Sequence, residues 1–334
     1  MKRKGLKIFL GVLLVLVIVY LAGPKMPKPE YNTELPHEVS TPELAEQMIL
    51  AKDAAAGTIR PGNESIMIWA NDSLKNNTPF CLLYLHGFSA SPMEGNPVHV
   101  NFARHFGMNA YIPLLTEHGL ETEDPLLNMS PDRLWESAKQ SFVLAKALGE
   151  KVILMGTSTG STLALKLAAE YPGDIAGLFL YSPNIRIFQK VAVVLSKPWG
   201  LQLGRGIAGG KYRLLEEDPE TDAFWYNKYR VEAVVYLQQL IETTMKKGLF
   251  QRVDIPVFAG YYYKDDEHQD NTVSVKAIHW MFENLGTPEN LKREIAFPEA
   301  GVHTIACELT SGSWQEVQKE SIKFAQEVLK LNSK

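Results

Sequence analysis

Three features of the 334-residue sequence predict an α/β fold with a mostly parallel central sheet and helices on both faces. From about residue 65 onward, short apolar runs rich in Val, Ile, Tyr and Phe alternate with segments of helical period. One run, Val152-Ile-Leu-Met-Gly-Thr-Ser-Thr-Gly160, passes through a glycine-flanked serine straight into the helix-forming stretch Thr162-Leu-Ala-Leu-Lys-Leu-Ala-Ala. The alternation breaks once, over the 69 residues from 185 to 253, which is far too long for an ordinary connection. Parallel strands need crossover connections, so helices cover the sheet and ligand sites fall at the carboxyl ends of strands.

The first element is set apart from the rest. Lys2, Arg3, Lys4 and Lys7 precede an uncharged apolar run from Ile8 to Ala22, which Gly23 and Pro24 end. Residues 1–24 therefore read as a membrane-targeting segment, with a core between the length of a signal peptide and the roughly 20 residues that span hydrocarbon. Cleavage after Ala22 or Gly23 would leave Tyr20 or Leu21 at the third position back, where a small residue is required. An uncleaved N-terminal membrane helix is expected, with Lys7 and Lys25 snorkelling, and a cleaved secretion signal is the alternative. The basic end stays cytoplasmic, which places the folded domain on the non-cytoplasmic side, periplasmic or extracellular.

Residues 25–60 are expected to be a linker and a helix. The stretch from Pro24 to Ser40 opens Pro-Lys-Met-Pro-Lys-Pro and predicts a stiff spacer lifting the domain off the bilayer. Ser40 or Thr41 as N-cap and Pro42 at the first helical position predict a helix running toward Ala54. Strands follow at 65–70, 80–85, 109–115, 152–155, 175–181, 255–263 and 293–297, and helices at 131–148, 159–171, 273–285 and 313–331. The core is thus 61–184 and 254–334. Residues 185–253 form an inserted cap with helical segments around Val191 and from Glu232 to Thr244.

Composition narrows the function. Hydrophobic residues at 46% and charged residues at 22% suit a globular core and exclude collagen, coiled-coil arrays and wholesale disorder. Beyond residue 30 the chain carries 28 basic residues against 37 acidic ones, so nucleic acid is not an expected partner. Cys81 and Cys307 are the only cysteines, which supports neither a disulfide scaffold nor a cysteine-built metal site, and both are expected to be free thiols. The acidic loop Asp265-Asp266-Glu267-His268 matches no EF-hand spacing, and the chain contains no H-x-x-x-H.

The chemistry centres on Ser158. A G-x-S-x-G string is weak alone, but between a strand and a helix it forms a sharp elbow that exposes the serine hydroxyl and aims a helix N-terminus at a developing oxyanion. A second strand ends in His86-Gly-Phe-Ser-Ala-Ser-Pro92, and if this loop adjoins the elbow, the Phe88 and Thr159 amides form an oxyanion hole. His86 then supports the loop. It precedes the serine, whereas the chain order Ser, Asp/Glu, His puts the base later. His303 is the candidate base, following the strand near Phe297. Its carboxylate partner is Asp265, Asp266 or Asp270: distance from the strand favours the first two, and register ahead of the helix at Val273 favours Asp270, which is preferred.

The H-G-F-S-A-S-P loop, the G-T-S-T-G elbow, the order of acid and His303 and the inserted segment together resemble the α/β-hydrolases of the monoglyceride-lipase, carboxylesterase and serine-aminopeptidase group. The likeness covers roughly residues 60–334. It implies the α/β-hydrolase fold, a Ser158-His303-Asp270 triad, and neither an organic cofactor nor a metal. In relatives the acid follows its strand by a few residues, whereas Asp270 lies seven beyond Tyr263.

The cap contributes Trp199, Phe224, Trp225, Tyr226, Tyr229 and Tyr236, with Leu237, Leu240 and Ile241. An apolar roof over the serine suits a lipid-like or short-chain acyl ester, with the same side chains otherwise serving as the cap's own core. The expected activity is a membrane-anchored serine esterase. The alternatives are a peptidase, amidase or acyltransferase of the same fold and, more remotely, a non-catalytic module binding a small apolar ligand.

Overall fold

The computed structural model describes residues 2–334, with side chains from residue 5 onward. Its first element is the helix α1 (Lys2–Leu21), followed by an extended segment and then α2 (Pro42–Ala55). Thr41, of the two candidate caps, is the one used: its Oγ1 accepts the Leu44 N–H at 3.2 Å, and Pro42 has no N–H to satisfy.

The core continues with β1 (Ile66–Ile68), β2 (Thr78–Leu85), α3 (Val98–Phe106), β3 (Asn109–Ile112), α4 (Pro131–Leu148), β4 (Gly149–Thr157), α5 (Thr159–Glu170) and β5 (Ile175–Tyr181). The insertion follows: a 3-10 turn over Lys190–Ser196, α6 (Gly200–Ala208), a hairpin of β6 (Tyr212–Leu214) and β7 (Lys228–Arg230), α7 (Val231–Thr244) and the single turn α8 (Lys247–Phe250). The chain then completes the core with β8 (Val257–Tyr261), α9 (Val275–Glu283), β9 (Lys292–Ala296) and α10 (Trp314–Glu327). The seven core strands form one sheet in the order β1-β3-β2-β4-β5-β8-β9, parallel throughout except that β1 runs antiparallel to β3.

The central strands are buried on both faces, which is why their sequences read as unbroken apolar runs without alternation. One face packs on α4 and α5 around Trp135, Phe142 and Leu167; the other packs on α3 and α10. There the Phe179 ring meets Phe102, Phe258 and Phe324 at centroid distances of 5.0, 5.9 and 5.5 Å. Each such buried side chain stabilises the fold by roughly 1.5–3 kcal/mol. α3 has no counterpart among the expected helices, because polar His99, Asn101 and Arg104 interrupt its apolar pattern. Its signal was present in the burial of Val98, Phe102 and Ala103 at helical spacing and in the left-handed Gly107 that ends it.

Two expectations at the N-terminus need correction. α1 forms, with every large apolar side chain from Leu6 to Leu21 that it carries 44–69% exposed. Among the described residues, however, no helix is long and apolar enough to cross a membrane. At ~1.5 Å per residue the uncharged run rises about 22 Å, short of a hydrocarbon core of ~30 Å. The side chains of Lys2, Arg3 and Lys4, on which the expected orientation rests, lie outside the described residues.

The proline-rich stretch, expected to be a spacer, is a strap docked on the domain. Asp132 at the start of α4 accepts the N–H groups of both Glu30 and Tyr31 at 2.9 Å, Trp135 Nε1 donates to the Asn32 carbonyl at 2.6 Å, and buried Lys139 donates to the Glu34 carbonyl at 2.7 Å. Tyr31, Leu35 and Val39 pack on the core. Prolines preset an extended backbone but do not keep it away from partners, and here the partners are α4 side chains.

Candidate active site

Ser158 sits between the end of β4 and the start of α5 at φ 53° and ψ −116°, a left-handed turn that a serine adopts only under constraint. The constraint comes from both sides. The Ser158 N–H donates to the Tyr181 carbonyl at 2.9 Å, and the Ser158 carbonyl accepts the Asn184 N–H at 3.1 Å and the Thr162 N–H at 3.2 Å. Gly160 lets the helix approach β2 so closely that a Cβ there would overlap the Leu85 carbonyl oxygen.

His303 comes from the loop after β9, and its Nδ1 lies 2.6 Å from Asp270 Oδ2. The other Asp270 oxygen accepts the N–H groups of Thr272 and Val273 at 2.8 and 3.0 Å. Asp270 is 1% exposed; despite this burial, the histidine and the two amides hold its carboxyl below the usual carboxylate range. The His303 ring is partly buried, but Asp270 outweighs desolvation and raises its pKa above the ordinary histidine value. Its Nε2 is buried and has no hydrogen-bond partner among the described residues, so no hydrogen bond joins it to Ser158 Oγ in this structure.

The six residues between Tyr263 and Asp270 form a closed excursion. Tyr263 bridges Gln269, and the Lys264 and Asp265 N–H groups donate to the His268 carbonyl, so the chain returns to its starting point before Asp270. Asp265 takes the His268 ring at 2.9 Å and Asp266 the Tyr263 hydroxyl at 3.0 Å, both in solvent. Only Asp270, of the three candidate acids, is bonded to His303.

The loop after β2 lies beside the elbow: a Cβ on Gly87 would sit 3.1 Å from Ser158 Cβ. His86 is fully buried, with Nδ1 2.9 Å from the Gly87 carbonyl and Nε2 accepting the Leu115 N–H at 3.0 Å. Those contacts make Nδ1 the protonated nitrogen, and burial keeps the ring neutral, so His86 braces the loop. The Phe88 N–H has no acceptor among the described residues. Thr159 opens α5, and its buried Oγ1 is likewise without a partner. Cys81 and Cys307 are buried, unpaired thiols.

The cap reaches this site with some of the expected aromatics. The Phe88 ring stands edge-on to Tyr229 with centroids 5.1 Å apart, the Tyr226 N–H donates to the Ser89 carbonyl at 2.9 Å, and Trp225 approaches buried Glu94. Ser158 is left 5% exposed. Leu237, Leu240 and Ile241 join the core. Trp199 does not belong to the roof: it is 41% exposed and its Nε1 donates to the Val19 carbonyl of α1 at 3.1 Å. Two surface concavities of about 500 and 480 Å³ lie elsewhere, one around Arg60 and Tyr226 and one around Lys52 and Arg133, and neither includes Ser158. Glu94 was not singled out in the sequence; nothing there separates it from other surface glutamates until the turn over Pro92–Gly95 folds it inward.

Comparison with known proteins agrees with this architecture. A family model described as serine aminopeptidase, S33, matches residues 136–237. No curated protein matches the sequence. Among solved structures, one from work on the metagenome-derived lipolytic enzymes LipS and LipT is similar with a TM-score of 0.65 and 17% identity, over 80% of this chain and 99% of that one. A monoacylglycerol lipase of Paleococcus ferrophilus gives 0.56 and 16%, over 80% and 98%. Est1E of Butyrivibrio proteoclasticus, with ferulic acid bound, gives 0.53 and 15%, over 80% and 95%. The chain has the α/β-hydrolase fold.

Proposed function

We propose that the protein is a serine hydrolase that cleaves carboxylic esters through an acyl-enzyme on Ser158. What supports this reading is a serine on a strained elbow at the carboxyl edge of the sheet and, from loops on the same edge, a His303-Asp270 pair whose Nε2 is unpartnered. Ser158 Oγ attacks the ester carbonyl while His303 Nε2 takes its proton, and Asp270 stabilises the resulting imidazolium. The tetrahedral oxyanion accepts hydrogen bonds from the Phe88 and Thr159 N–H groups. Its collapse breaks the C–O bond, and His303 returns the proton to the leaving alcohol. Water then repeats the cycle on the acyl-enzyme. The steps need neither a metal nor an organic cofactor.

An apolar acyl group suits the roof of Tyr229, Trp225 and Phe88, and a small-molecule ester is the proposed substrate. The exposed apolar surface of α1 supports association of the enzyme with a bilayer. Hydrolysis of amides or aminoacyl groups is the second reading, supported by the serine-aminopeptidase description of the matching family model. Ser158→Ala is expected to keep the fold and lower ester hydrolysis by roughly 10³-fold or more, with loss of fluorophosphonate labelling. Retained hydrolysis by an unlabelled variant would overturn the mechanism, and a faster rate on aminoacyl anilides than on aryl esters would select the second reading.

A further inference from the structure

Glu94 is 2% exposed, and its carboxyl group lies beside the nucleophile with no part in the triad. It belongs to the short turn over Pro92–Gly95, which Ser91 opens, and that turn folds the side chain back under the loop after β2. Oε2 accepts the Gly87 N–H at 2.5 Å and faces the Tyr84 hydroxyl at 3.4 Å; that hydroxyl also donates to Thr157 Oγ1 at 2.9 Å, one residue before the serine. A Cβ on Gly87 would sit 2.7 Å from Glu94 Oε1 and 3.1 Å from Ser158 Cβ, so carboxyl and nucleophile flank the same glycine. From the cap, the Trp225 indole favours the charged form of the carboxyl group.

Gly87 is thus gripped at both ends. Its N–H goes to Glu94 and its carbonyl to His86 Nδ1. That carbonyl and the Phe88 N–H belong to one planar trans peptide and point in opposite directions. Holding the carbonyl on the His86 side therefore turns the Phe88 N–H the other way, and this is the N–H without an acceptor. Burying a carboxyl group is costly unless it is well bonded, which argues that this one has a task at the site.

Resting on the reading of Ser158 as an acyl-transfer nucleophile, we propose that Glu94 is a positioning residue for the oxyanion loop. It holds the Gly87 N–H so that the Phe88 N–H is presented to the tetrahedral intermediate. The titratable groups around it are Tyr84 from β2 and His303 and Cys307 from the loop after β9; His99 of α3 packs on the Tyr84 ring at 4.7 Å. Burial keeps Tyr84 and Cys307 protonated and His99 neutral, so only His303 shares charge with Glu94. Burial also pushes the Glu94 carboxyl up to about 7, and its charge in turn favours protonated His303.

Protonated His303 cannot act as base, and its raised pKa sets the low-pH limb. Above neutrality Glu94 gains a negative charge next to the site of the developing oxyanion, and the rate falls. Glu94→Gln keeps an oxygen for the Gly87 N–H but cannot ionise; its kcat/KM profile is expected to lose the high-pH decline and to shift the low-pH limb downward. Glu94→Ala leaves the Gly87 N–H unheld and is expected to lower kcat by roughly 10- to 100-fold with little change in KM, a loss approaching that of an oxyanion donor. Trp225→Phe removes the indole N–H and is expected to move the high-pH limb upward. It acts from the cap and tests the charge argument even if a Glu94 variant fails to fold, which thermal unfolding reports. Wild-type kcat in Glu94→Ala, or unmoved limbs in both Glu94→Gln and Trp225→Phe, would overturn the proposal. A wild-type enzyme that neither hydrolyses esters nor takes up fluorophosphonate would instead overturn the reading of Ser158.

Discussion

The left-handed backbone at Ser158 costs on the order of 1–3 kcal/mol, and the surrounding bonds to Tyr181, Asn184 and Thr162 hold it in place. Gly160→Ala forces the helix away from Leu85 and is expected to abolish soluble folded protein or to cut ester hydrolysis by at least 10²-fold, read by circular dichroism and turnover together. The acid is tested by exchange: Asp270→Asn is expected to cost on the order of 10²- to 10⁴-fold, because the histidine loses the partner that fixes its tautomer, while Asp266→Asn stays near wild type. Because Asp270 raises the His303 pKa, the residual activity of Asp270→Asn should reach half-maximum at lower pH than in the wild type. A variant at position 266 that lost activity while Asp270→Asn kept it would reverse the assignment. Most of this candidate site was readable in the sequence as an expectation, since Ser158, His303 and the loop at His86 carry their context in consecutive residues. Asp270 was legible only through the register of the helix that follows, and Glu94 was not legible, because its role depends on a fold-back that brings it under Gly87.

At the scale of elements, the strands and long helices were readable because burial on both faces leaves unbroken apolar runs and because α4, α5 and α10 carry clear caps or periodicity. The unread elements owe their existence to tertiary contacts. α3 hides its apolar positions among histidines and an arginine, α6 and the β6-β7 hairpin lie in the cap, and the strap has no periodicity at all. The strap makes a prediction opposite to that of a free linker. Removing residues 2–22 leaves the bonds of Glu30, Tyr31, Asn32 and Glu34 in place and is expected to leave the unfolding midpoint nearly unchanged. Removing residues 2–40 also takes away Tyr31, Leu35 and Val39 and leaves Lys139 without the Glu34 carbonyl. The partial burial of three apolar side chains and a lost bond to a buried cation sum to about 3–5 kcal/mol, which should appear as a lower denaturant midpoint. Equal midpoints for the two truncations would mean that the strap lies on the surface without stabilising it.

Taken whole, the molecule joins α1 to the α/β domain through that strap and not through a loose tether. Trp199 of the cap donates its N–H groups to the Pro24 and Val19 carbonyls, and Gln239 of α7 donates to the Pro27 carbonyl at 2.8 Å. A helix fixed to the cap in this way cannot swing far, so if α1 sits in a bilayer, the cap and the serine beneath it are held at a set distance from the lipid. The consequence is a difference between substrates. An enzyme lacking residues 2–22 keeps Ser158, His303, Asp270 and the strap, so its kcat/KM on a water-soluble aryl ester should match that of the full chain. On an ester dispersed in phospholipid vesicles, the full chain gains from effective concentration at the surface, and the truncated enzyme should be slower by roughly tenfold or more. Sedimentation with the vesicles supplies the companion readout: the full chain should pellet and the truncated one remain in the supernatant. Equal rates on vesicle-borne ester, with both forms in the supernatant, would show that the apolar surface of α1 serves some partner other than lipid.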